Sequence, residues 1–186
     1  HASGGLIFGD VPNVFAQLNA PEQIDGVEPT ILFGEYMEFR LGTKSFELTY
    51  LGPGHGTDLA ALVIRPENVA FVVDAVATRR LFYRDFPGTT VDAWADQVRK
   101  VETLDFDILV GGHGPVGTKA DATDGRIYLE ELRAAVLEGL QAGQSVDELA
   151  DSVTMEKYKD WIAYDDWREL NVRGAARSLI ESGAVK

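Results

Sequence analysis

Hydrophobic positions follow two rhythms along this chain. Up to about residue 74 they fall in short runs, GLIFG, NVFAQL, TILFG, EYMEFRLG and SFELTYLG, broken by Gly, Pro and Asn. Such runs predict strands joined by turns. LAALVIRP and VAFVV come next, divided by Pro66, Glu67 and Asn68. Both are continuously apolar, the pattern of strands covered on both faces in a layered α/β protein. After Pro87, Gly88, Thr89 and Thr90 the period changes. Val91, Trp94, Val98 and Val101 recur at helical spacing, with Asp92, Asp96, Arg99 and Lys100 off the stripe, which predicts an amphipathic helix. A short buried strand, DILVGG, then runs into a glycine turn at His113. From Thr118 the chain reads as helix: Leu129, Leu132, Val136 and Leu140 form a stripe, and Gly143 is a stop. Ser145 and Glu148 have the spacing of a capping box, and a last helix is expected over roughly 166–182. With no repeat, low-complexity tract or Pro/Ser-rich linker, the helical end is expected to pack on the domain.

Composition narrows the chemistry. A chain of 186 residues holds one domain with a sizeable core, or a domain with a helical extension. No apolar run approaches the roughly 18 residues that cross a bilayer, so no membrane partner is expected. The compartment, cytoplasmic or periplasmic, stays open. The formal net charge of −13 disfavours binding to a phosphate backbone. Cysteine is absent, which excludes disulfides, thiolate nucleophiles and Cys-ligated metal. Any metal site must use carboxylates and the three histidines.

Three segments place a ligand-type side chain at the end of an apolar strand: His55 in LTYLGPGHGTD, Asp74 in VAFVVDAV and His113 in FDILVGGHGPV. Loops at strand ends display function because the sheet positions them rigidly. Taken singly, each residue has an ordinary explanation, a turn histidine or a helix-capping aspartate. The stretch ATRRLFYRDFPG after Asp74 adds arginines and aromatics. Arg79 and Tyr83 are the candidates there for contact with a small-molecule substrate, against the alternative of a connector with solvated side chains.

In order, Gly-His-Gly after a strand, strand–Asp, and strand–Gly-Gly-His-Gly-Pro resemble the metallo-β-lactamase superfamily. The resemblance implies an α/β fold, an αββα sandwich with a metal site at one edge. It also implies hydrolysis by a metal-bound hydroxide, with two zinc ions in a full site. It makes His55 a ligand of the first metal, His113 of the second, and Asp74 the bridging carboxylate and central catalytic residue. An Asp at this position, where many true β-lactamases have Cys, weighs against antibiotic hydrolysis. The family's HxHxDH loop is missing. The opening HASGGLIFG is similar to the tail of a DHxxGG stretch, so His1 is either the last histidine of that loop or a tag remnant.

The expected organisation is therefore a metallo-β-lactamase-like domain over 1–118, lacking its N-terminal part, with a helical C-terminal extension over 119–186. The ligands at hand fall short of two closed metal shells, so weak or absent metal binding and little activity are expected of this chain alone. Trp161, Tyr164 and Trp167 are expected to pack the helical end on the sandwich or on a second subunit. Exposed sheet edges or the C-terminal helices could support a homo-oligomer. The competing reading is a non-catalytic or metal-poor module that binds or assembles.

Overall fold

The computed structural model describes residues 5–8, 13–24 and 26–185, and His1 lies outside them. Where a first strand was expected, Gly5–Phe8 is a 3-10 turn; whether so short an apolar run extends depends on finding a pairing partner. β1 (Phe15–Gln17) and β2 (Ile31–Phe33) make a small parallel sheet. The main sheet has six strands in sequence order: β3 (Tyr36–Leu41), β4 (Lys44–Tyr50), β5 (Ala60–Arg65), β6 (Val69–Val72), β7 (Ile108–Gly111) and β8 (Gly117–Thr118). Neighbours are antiparallel except β6 and β7, which run parallel with Val72 opposite Gly111.

A parallel pair needs a crossover, and α1 (Val91–Glu102) supplies it. Thr90 caps α1 by accepting a hydrogen bond from the Ala93 amide at 3.1 Å. Asp92 in the first turn and Arg99 and Lys100 in the last complement the helix dipole. α2 (Lys119–Gln141), α3 (Val146–Ser152) and α4 (Tyr164–Glu181) follow. The capping box expected at Ser145 and Glu148 forms, with the Ser145 amide donating to Glu148 at 2.8 Å.

Strand alternation sends Ala61, Val63, Ala70, Val72 and Leu109 to one face, where they are buried with Trp94, Val98, Leu129, Leu132 and Val172. The helical stretch from residue 119 thus shares one core with the sheet. The other face carries Phe46, Leu62, Ile64, Val69, Phe71 and Ile108. Phe15 stacks on Phe39 at 4.6 Å and Phe39 on Phe46 at 5.0 Å, so the small sheet covers the β3–β4 end. The β6–β7 end stays open, with Phe71 43% and Ile108 40% exposed. β5 and β6, expected to be covered on both faces, are therefore covered on one among the described residues.

Candidate metal centre and its pocket

β4, β6 and β7 point the same way, so their C-terminal ends meet at one edge of the sheet. Each delivers one expected ligand. Asp74 and His113 each lie two residues beyond the opposed pair Val72 and Gly111, so the parallel register sets them side by side. His55 comes from the loop between β4 and β5. His113 Nε2 lies 3.1 Å from Asp74 Oδ1, and His55 Nε2 lies 3.7 Å from Asp74 Oδ2. The two imidazoles thus face separate oxygens of one carboxylate.

Tight turns make this approach possible. Asp74 is in the left-handed region, with φ of 63°, and reverses the chain directly after β6. Gly112 packs against that turn so closely that a Cβ there would sit 2.7 Å from Val73 Cγ1 and 3.2 Å from Asp74 Oδ1. α1 braces the turns from behind. The Trp94 indole N–H donates to the Ala75 carbonyl at 2.9 Å, and its ring lies 4.6 Å from that of His55. Gln97, 1% exposed, accepts from the His55 amide at 2.9 Å and donates to the Gly52 carbonyl at 2.8 Å. Burial holds the His55 imidazole below the ordinary histidine range; Asp74 pulls the other way, and His113 adds to the lowering. A neutral imidazole is the form that ligates a metal.

The three groups open into a cavity of about 430 Å³ whose wall includes Arg80, Phe82, Tyr83, Trp94 and Trp167. Of the two substrate contacts expected from sequence, Tyr83 lies in this wall. Arg79 is exposed and absent from it, and its neighbour Arg80 takes the place. The reason is local: Arg79 has φ of 47°, and its carbonyl accepts from the Ile162 amide at 2.9 Å. The chain reverses there and turns the next side chain inward. Trp94 and Trp167, read from sequence as packing residues, also reach the cavity; an aromatic periodicity does not reveal which ring edge meets solvent. Gln97 carried a readable signal, an amide one turn from Trp94 on the buried side of α1.

No family model matches the chain. The sec-alkylsulfatase Pisa1 from Pseudomonas sp., a stereoselective inverting enzyme, is similar in structure with a TM-score of 0.64, at 16% identity, over 81% of this chain and 26% of that one. The chain has the metallo-β-lactamase fold. A metallo-β-lactamase from Pontibacter korlensis is similar at a TM-score of 0.48 and 17% identity, over 56% of this chain and 50% of that one. In sequence, the 2,4-dinitroanisole O-demethylase subunit alpha of Nocardioides sp. (strain JS1661) is 31% identical over 147 residues, 75% of this chain and 44% of that protein. The chain thus spans less than half of the demethylase subunit and about a quarter of the sulfatase. Two imidazoles and one carboxylate are donor types that suit a divalent metal. Among the described residues no three His, Asp or Glu side chains form a set able to hold an ion by themselves, so the fit calls for further donors.

Proposed function

We propose that the chain forms the catalytic centre of a metal-dependent hydrolase that acts on a small molecule. What carries this reading is the meeting of His55, Asp74 and His113 at one sheet edge, opening on the cavity. His55 and His113 would hold the metal through neutral imidazole nitrogens, and Asp74 would stand between them. Zinc bound there would supply Lewis-acid activation of water and of the bond to be cleaved. Trp94 and Phe82 keep water from the back of the centre, while Gln97 fixes the turn that carries His55.

The bond cleaved is an ester, amide, thioester or sulfate-like linkage, and the demethylase subunit's name adds an aryl methyl ether. Its hydrolysis consumes one water and yields a phenol and methanol.

Zinc titration against a competing chelator tests the centre. Weak uptake is expected, lost in Asp74→Asn and in His113→Ala, together with hydrolysis of an aryl ester, aryl sulfate or aryl methyl ether when zinc is in excess. Uptake indifferent to both substitutions refutes the reading and leaves a metal-poor binding module. Tight stoichiometric uptake overturns the shortage of donors.

A further inference from the structure

We infer that Arg80, Trp167 and Tyr83 form a subsite for a planar aromatic ring bearing an anionic oxygen group, set beside the metal centre. The inference rests on the proposed function only in taking the cavity as the substrate site. Its first support is charge. In a chain with a net charge of −13, Arg80 has no carboxylate partner among the described residues. Its guanidinium lies 4.7 Å over the Trp167 ring, in the wall of the cavity. A guanidinium held over an indole by cation–π attraction still presents N–H donors, and two of them match two oxygens of one anionic group.

The second support is shape. The Tyr83 ring stands at 89° to Trp167 with centroids 5.3 Å apart, and at 88° to His55 with centroids 6.5 Å apart. Both Tyr83 and Trp167 line the cavity beside Arg80, and Tyr83 is 42% exposed, so a flat ring entering the cavity meets aromatic surface. Asp74 lines the same cavity, so in the metal-free chain an anionic group is drawn to the Arg80 end.

The third support is preorganisation. Backbone bonds on both sides of Arg80 tie it to the residue two positions before α4: the Arg79 carbonyl accepts from the Ile162 amide at 2.9 Å, and the Leu81 amide donates to the Ile162 carbonyl at 3.0 Å. Asn171, fully buried on α4, donates to the carbonyls of Phe82 (at 2.9 Å) and Arg84 while its own oxygen accepts from the Tyr128 hydroxyl at 2.7 Å. A wall held this way loses little freedom on binding a ligand.

Calorimetric titration of the chain in excess chelator tests the subsite apart from the metal. The probes are benzoate, which has ring and anion, acetate, the anion alone, and benzyl alcohol, the ring alone. Benzoate is expected to bind saturably, and each partial probe at least about tenfold more weakly. Arg80→Met should weaken benzoate by at least about tenfold, the scale of a lost charge-assisted hydrogen bond. Arg80→Lys should fall between, keeping the charge without the planar fork, which guards against a folding defect in the Met variant. Arg79→Met should change nothing. Absence of benzoate binding, acetate binding as tightly as benzoate, or equal losses at Arg79 and Arg80 would overturn the subsite. Zinc uptake in Arg80→Met should match the unmodified chain, so failure of the metal centre and failure of the subsite read out separately.

Discussion

Gln97 ties the turn that carries His55 to α1. The turn from Gly52 to Gly56 has a backbone bond of its own, from the Gly54 amide to the Gly56 carbonyl at 3.0 Å, and the His55 amide and Gly52 carbonyl find their partner in a side chain. Gln97 gives one donor and one acceptor, and Gly54 leaves the room, since a Cβ there would lie 2.6 Å from Gln97 Cδ. Gln97→Leu keeps the bulk and orphans both groups. It is expected to destabilise the chain by about 1–3 kcal/mol, read by chemical denaturation, and to speed hydrogen exchange at the His55 amide. Unchanged exchange there would show that the turn holds itself. Gly54→Ala, which overpacks the same contact, should cost about 1–3 kcal/mol. At this scale the sequence was partly legible: His55, Asp74 and His113 stand out because each ends an apolar strand, two of them flanked by glycine. Arg80 was not, because a left-handed Arg79 decides which of two adjacent arginines faces inward, and no periodicity encodes that.

Among the elements, α4 holds the pocket. Gly174 lies against the chain so tightly that a Cβ would come 2.3 Å from the Asp85 carbonyl oxygen. Arg177 donates to the Asp85 carboxylate at 2.8 Å and to the Phe86 carbonyl at 3.1 Å. Asn171→Ala strips bonds from buried groups and should cost about 2–3 kcal/mol. Gly174→Ala should cost at least as much, since the obstacle is backbone. Both should weaken benzoate binding more than zinc uptake, because α4 carries Trp167 and braces the 82–86 segment, whereas the turn that carries His55 is braced by α1. The Arg177 guanidinium beside Asp85 holds its carboxyl below the usual carboxylate range, against the opposing pull of burial. A carboxyl depressed in the folded state stabilises above its unfolded pKa of about 3.9 and loses that contribution as pH falls through the folded value. Because both side chains are more than a third exposed, the effect is small, under about 1 kcal/mol after screening. Acid titration of stability should be flatter in Arg177→Met below about pH 4. The helices were legible because caps and stripes are local signals. The cover of β5 and β6 was not, because a continuous apolar run records that something covers a strand and not where that cover lies in the chain.

Over the whole molecule the main sheet has two unequal faces, and the inequality makes the last prediction. The helix-backed face buries small and medium residues, Ala61, Val63, Ala70, Val72 and Leu109, at 2% exposure or less. The opposite face is equally apolar, yet Phe71 and Ile108 remain 43% and 40% exposed. A contiguous apolar patch of this kind marks a surface that meets something else, whether further protein chain or a second copy. The purified chain should therefore bind a hydrophobic dye such as ANS and self-associate with rising concentration in sedimentation experiments. Phe71→Lys tests the cause: placed on the open face, it should reduce dye binding and association while changing stability by no more than about 0.5 kcal/mol. Association that survives this substitution would pass to the C-terminal helices, where Ile180 is 50% exposed. A chain that stays monomeric and dye-free at every concentration would mean that the open face is wetted without penalty. That outcome contradicts the packing seen at the β3–β4 end, where Phe15, Phe39 and Phe46 stack to cover the same surface.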